Sequence, residues 1–178
     1  MISLEVLKVG IVPCSGEAVV IEIRVLSMKF SMGRRDNDMP IYKNKVEWRG
    51  EHMGYTWCGN GAETVFSAPP DLYGASNILT PEDAFMAASN TCYHMMVVWV
   101  AERFKMDLVS FECEAVGEVE EFIDRTSWFK KVTLYPKLVV KNKPREVVQR
   151  ALDMALKYST INQSFKSEVV VEPTIIVQ

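Results

Sequence analysis

Thr80-Pro81-Glu82-Asp83-Ala84-Phe85-Met86-Ala87-Ala88-Ser89-Asn90-Thr91-Cys92 is the stretch on which the reading of this chain turns. It predicts the start of a long helix. The Thr80 hydroxyl can accept from a free amide of the first turn, and Pro81 has no amide to leave unpaired at the first helical position. Glu82 and Asp83 favour the positive end of the helix dipole, and Thr80 to Asp83 has the spacing of a capping box. The helix is expected to run to about Lys105, where Glu102, Arg103 and Lys105 mark its wet end. Its middle is apolar nearly all round (Ala84, Phe85, Ala87, Ala88, Met95 to Val100), which predicts burial on most sides. A sheet covers one face of a helix, so the other face needs a second cover. A homodimer whose central helices pack together is the expectation.

Working outward, the pattern before this helix is β. Residues 45–48 and 55–58 flank a turn containing Gly50 and Gly54, a hairpin signal. A third strand, about 64–67, stops at Pro69-Pro70, and residues 71–77 read as a loop. After the helix, residues 108–120 alternate. Val109, Phe111, Cys113, Ala115, Gly117 and Val119 share one face, and the other is largely acidic. Residues 128–141 are its expected partner strand. Asn142 is expected to cap a second helix with Pro144 in its first turn, and Val147, Val148, Ala151, Leu152, Ala155 and Leu156 form its apolar stripe. Residues 168–177 close the chain as a strand. Three strands, a helix, two strands, a helix and a strand predict an α+β fold with antiparallel sheets, not a doubly wound parallel sheet.

The first forty residues differ from the rest. Residues 17–26 alternate like a strand, and Gly33-Arg34-Arg35-Asp36-Asn37-Asp38, ending near Pro40, reads as a linker. The expected division is an N-terminal arm or extra strands with linker over 1–40 and a main domain over 41–178.

Composition narrows the function classes. The 178 residues are 48% hydrophobic and 24% charged, with a net charge of −3 and no long block of like charges. That argues against disorder, nucleic-acid binding and an anionic-membrane anchor. No run of 18 uncharged apolar residues is present, so no membrane span is expected. Glu5 and Lys8 interrupt the only N-terminal apolar stretch, a poor signal-peptide core, so the expected location is the reducing cytoplasm. Four cysteines (Cys14, Cys58, Cys92, Cys113) and two histidines (His52, His94) form no CxxC pair or cluster. Neither a zinc site nor a disulfide framework is expected, and no metal or organic cofactor is called for.

The helix start, with a cysteine ten residues after its glutamate, resembles the reactive segment of the OsmC/Ohr family. The preceding turn, Ala68-Pro69-Pro70-Asp71-Leu72-Tyr73-Gly74, is similar to the family's loop at the same place. So is Ala155-Leu156-Lys157-Tyr158-Ser159-Thr160-Ile161-Asn162-Gln163-Ser164, which resembles the family's Lys-Tyr-Cys segment with Ser159 at the cysteine position. The resemblance covers about 45–177. It implies an intertwined homodimer with two interfacial sites that reduce organic hydroperoxides or hydrogen peroxide, an antioxidant activity of the oxidative stress response. In the family, one cysteine attacks the O–O bond and becomes a sulfenic acid, a second condenses with it, and external dithiols reduce the disulfide. An arginine of the first hairpin and the helix-start glutamate support the first cysteine.

Carried onto this chain, the resemblance makes Cys92 the nucleophile, with Glu82 and Arg49 as electrostatic support. Aligning Gly54 with the family's glycine puts His52 at the arginine position; shifting the register gives Arg49, which is permanently charged. Mid-helix burial alone raises a thiol's pKa, so activity requires a nearby cation. Glu82 lies about 15 Å from Cys92 along the helix, so the two are expected to meet only across a symmetric pair. Ser159 cannot form a disulfide. Cys113, Cys58 or an external thiol reductant is left to resolve the sulfenic acid. His94, two residues beyond Cys92, points about 200° away from it, which disfavours a Cys-His dyad. Two functions follow: a thiol-dependent peroxidase working through Cys92, and a non-catalytic OsmC-like dimer binding a small apolar ligand or a partner.

Overall fold

The computed structural model describes the backbone of Ser3–Ile11 and Val19–Ser27 and all residues from 39 to 178. The expected linker at 33–38, with Cys14, Met28 and Met32, lies outside the described residues. The chain divides into two compact units, Met1–Tyr42 and Lys43–Gln178. In the first, β1 (Ser3–Ile11) and β2 (Val19–Ser27) pair antiparallel, with Ser3 opposite Ser27. The strand expected at 17–26 is β2, and β1 is a strand the pattern did not reveal.

The second unit is α+β. β3 (Asn44–Gly50), β4 (Met53–Cys58) and β5 (Glu63–Ser67) form an antiparallel three-stranded sheet in that order. Gly50 (φ +103°) and Glu51 (φ +44°) make the β3–β4 turn, a reversal that favours glycine. Gly54, expected in that turn, is instead a buried residue inside β4. A Cβ there would strike the ring of Phe66 on β5, so the glycine makes room for an aromatic neighbour.

Helix α1 (Pro81–Phe104) begins as its sequence predicts. The Thr80 hydroxyl accepts from the Asp83 amide at 3.0 Å, and the Asp83 carboxylate accepts from the Thr80 amide at 3.3 Å. Lys105, in left-handed conformation, ends it. Within one chain only one arc of α1 is buried, through Ser89, Tyr93, Val97, Val100 and Ala101. The opposite side stays open, with Met95 58% exposed.

β6 (Asp107–Glu121) and β7 (Ser127–Lys141) form a long antiparallel hairpin. Register shifts near Leu108 and Val119 correct the expected alternation: Leu108 packs on the core, while Val109 and Val119 turn to solvent. Asn142 does not cap the second helix. It takes a positive φ and its side chain accepts from the Asp107 amide, closing the hairpin base, while α2 (Arg145–Tyr158) starts after Pro144. α2 runs through Ser159 into the single turn α3 (Thr160–Gln163).

The closing strand is broken. β8 (Glu168–Val171) and β9 (Thr174–Val177) both pair parallel to β7, so this sheet is mixed where an antiparallel one was expected. Pro173 lies between them and has no amide to give the ladder. One face of the sheet presents Val132, Leu134, Leu138 and Val140, all fully buried, against Val97 and Val100 of α1 and Val148, Leu152 and Ala155 of α2. No helix among the described residues is long and apolar enough to cross a membrane.

Candidate functional site

Cys92 is half-buried in the middle of α1, and its direction is set by its neighbours one and two turns away. Ser89, one turn earlier, donates from its hydroxyl to Asn162 Oδ1 of α3 at 2.6 Å. Trp99, two turns later, meets Tyr158 at the end of α2 edge-on, with ring centroids 5.3 Å apart. At 3.6 residues per turn, Ser89, Cys92 and Trp99 share a flank of the helix. That flank faces the α2–α3 junction, where Ser159 stands.

The junction is a closed set of buried polar groups. Asn162 Nδ2 donates to the Ser89 carbonyl at 3.1 Å and to Ser159 Oγ at 2.8 Å. Ser89 and Ser159 are fully buried and Asn162 nearly so. Buried polar groups must find partners inside, and here they find one another, tying α3 and the end of α2 to α1. Sequence reasoning placed Ser159 near a helix end but missed Ser89 and Asn162. The available signal was a lone serine within an otherwise apolar helical face.

The flank of α1 that carries Asn90 and His94 faces the long hairpin. Asn90 Nδ2 donates to the Cys113 carbonyl at 2.7 Å, and His94 sits edge-on to Phe111 at 4.9 Å. A cavity of about 320 Å³ lies there, lined in part by Asn90, His94, Met95, Phe111 and Cys113. Burial pushes the Cys113 thiol up to about 11, partly offset by a backbone hydrogen bond from Tyr135. Cys58 is exposed at the end of β4, where Asn44 Nδ2 approaches its sulfur at 3.8 Å. All three described cysteines are free thiols.

The charged residues are elsewhere. Arg49 pairs with Glu47 on its own strand, Nη1 to Oε1 at 3.1 Å, and lies 5.8 Å from the ring centroids of Tyr55 and Trp57. His52 stacks on Tyr73 at 5.9 Å. Glu82 is exposed in the first turn of α1 and makes no side-chain hydrogen bond or ion pair among the described residues. No such contact joins Cys92 to Glu82, Arg49 or His52 within the described residues. Helix spacing therefore turns Cys92 toward the junction that holds Ser159, and no hydrogen bond or ion pair among the described residues brings the charged residues to either.

An α+β chain built on a central helix with a cysteine at mid-length is the class these features define. Residues 74–174, more than half the chain, match the family model described as OsmC-like protein, and the chain belongs to that family. Solved structures share the fold. An OsmC-like protein of unknown function from Vibrio cholerae superposes with a TM-score of 0.69 at 20% identity, over 76% of this chain and 99% of that one. An organic hydroperoxide resistance protein from Elizabethkingia anophelis gives 0.63 at 17% identity, over 80% and 99%. An OsmC-like protein from Mycoplasma pneumoniae gives 0.67 at 10% identity, over 77% and 98%. No curated protein matches the sequence.

Proposed function

We propose that this protein is a cytoplasmic, thiol-dependent peroxidase that reduces organic hydroperoxides or hydrogen peroxide through Cys92, without a metal or organic cofactor. The observation that supports this reading is the half-buried Cys92 on the α1 flank facing Ser159, the position where the family carries its second cysteine. The Cys92 thiolate attacks the terminal peroxide oxygen. The O–O bond breaks, the alkoxide takes a proton and leaves as the alcohol, and Cys92 becomes a sulfenic acid. An external thiol then attacks the sulfenic sulfur and releases water, and a second thiol reduces the mixed disulfide. Because Ser159 has no sulfur, the cycle runs on one protein cysteine.

Holding a thiolate requires a cation. In this reading the active form is a homodimer in which Arg49, or His52 in its place, reaches the Cys92 of the other copy, with Glu82 orienting the cation. The three-stranded sheet that carries Arg49 belongs to the OsmC-like domain at 41–178, and residues 1–40 are an N-terminal arm or extra strands with a linker. The test is mass spectrometry after stoichiometric hydroperoxide with a sulfenic-acid trap. Trap adduct on Cys92 is expected, with peroxide consumption lost in Cys92→Ser; unchanged consumption in that variant removes the proposal.

A second reading is a non-catalytic dimer binding a small apolar ligand or partner, favoured by the Arg49–Glu47 pair, in which the hairpin arginine is already engaged by a carboxylate of its own strand. It predicts that Cys92 alkylates no faster than a free model thiol.

A further inference from the structure

A three-ring stack lies at the start of α1, two turns before Cys92. Phe85, in the second turn of α1, stacks on Phe129 of β7 at 4.5 Å with an interplanar angle of 15°, and on Phe165 of the α3–β8 loop at 4.2 Å and 26°. Beside it opens a groove of about 260 Å³, with Trp128 and Lys166 among its lining residues. A groove of that size admits a bicyclic aromatic molecule.

The polar groups of the groove are nearly all engaged. The Ser164 hydroxyl donates to the Thr160 carbonyl at 2.8 Å, and the Ser167 hydroxyl donates to the Phe129 carbonyl. The Trp128 indole N–H donates to Glu120 Oε2 at 3.3 Å. Glu120 is itself paired with Lys130 at 3.5 Å. Lys166 alone among the lining side chains has a polar group with no hydrogen bond or ion pair among the described residues. Aromatic faces and one uncompensated ammonium ask for a flat ring that carries one negative charge.

We infer that this groove is a binding site for a small aromatic carboxylate, its ring laid against the phenylalanine stack and its carboxylate facing Lys166. The ring supplies buried apolar area, and the ammonium supplies the choice of an anion over a neutral ring. The inference uses no property of the Cys92 thiol, so its test is separate from that of the peroxidase reading.

The test titrates the full-length protein with 2-naphthoate and with the neutral 2-naphthalenemethanol, by calorimetry and by NMR of the phenylalanine rings. Naphthoate is expected to bind about five-fold more tightly than the alcohol, a preference that shrinks with added salt. Lys166→Ala, a surface substitution, brings naphthoate to the level of the alcohol, and Phe165→Ala weakens both. Shifts should centre on Phe85, Phe129 and Phe165. Equal affinity for the two probes, a preference that survives in Lys166→Ala, absence of binding, or shifts centred on Phe111 instead would each overturn the inference.

Discussion

Asn90 and Cys113 are joined by a hydrogen bond of 2.7 Å from the Asn90 carboxamide to the Cys113 carbonyl, and this contact shows which side of α1 looks at the hairpin. Cys92 follows Asn90 by two residues and is turned from it by about 200°. The two half-buried thiols therefore sit on opposite sides of one helix. Disulfide formation needs Cα atoms within about 7 Å and converging Cβ vectors. Hydroperoxide treatment should produce no Cys92–Cys113 bridge, and non-reducing peptide mapping checks this. A bridged peptide pair would mean that α1 rotates or unwinds during the reaction.

Cys113 itself should be slow to react. With its thiol pushed up to about 11 by burial, roughly a thousandth is ionised at pH 8. Alkylation of the folded protein at that pH should leave Cys113 unmodified. The same displacement gives a stability effect with a definite sign. The folded state keeps the proton while the unfolded thiol, near 9, loses it, so the unfolded state binds fewer protons and stability falls as pH rises from about 9 to about 11. Cys113→Ala should flatten that fall in urea unfolding measured across the window.

The Ser89–Asn162–Ser159 set should be costly to break. Asn162→Ala leaves two buried hydroxyls and a buried carbonyl without their common partner. A loss of about 2–3 kcal/mol in denaturant unfolding is expected. A change below about 0.5 kcal/mol would mean that water replaces the carboxamide.

Ser159→Cys supplies a sulfur on the flank that carries Cys92. If the peroxidase reading holds, hydroperoxide should then drive a disulfide between Cys92 and the introduced thiol, and trap adduct on Cys92 should fall correspondingly. Mass spectrometry of the intact, unreduced protein separates this from over-oxidation.

Tyr93 offers the opposite experiment. Its ring is fully buried in the core and its hydroxyl has no hydrogen-bond partner among the described residues. Tyr93→Phe removes a desolvated group and keeps the ring, so it should be neutral or stabilising by up to about 1 kcal/mol in thermal or urea unfolding. A clear destabilisation would show that the hydroxyl is satisfied in solution.

Gly74→Ala tests the loop before α1. A Cβ at Gly74 would collide with the Ala68 carbonyl oxygen, a backbone atom held in a turn that also binds the Gly74 amide to Pro69 at 3.0 Å. Neither side can yield cheaply. A loss of about 2–4 kcal/mol is expected from chemical denaturation, while Gly59→Ala, whose added Cβ meets the Lys43 carbonyl at a tight 3.2 Å that a small shift relieves, should cost less.

The α1 cap, the β3–β4–β5 sheet, the long hairpin and the amphipathic α2 were legible because each is dictated by side chains close together in sequence. Thr80 and Asp83 cap one another, and the apolar stripe of α2 repeats every turn. The departures were small and had local causes that alternation does not report. Bulges turned Val109 and Val119 outward, Asn142 served the hairpin instead of a helix, and Pro173 divided the last strand. The cysteine on the helix and the serine at the second cysteine's place could also be read directly, since both are single letters at recognisable spacings.

Which groups share a flank could not be read that way. Ser89 and Asn162 are 73 positions apart, and only the packing of α3 on α1 makes them partners. The same packing separates Cys92 from Cys113, although both are helix- or strand-borne thiols of similar burial. Sequence by itself determined the elements and the family, because caps, periodicity and motif spacing act over a few residues. Tertiary structure alone decided which side chains meet, because the direction a side chain takes depends on the rotation of its helix against neighbours distant in the chain.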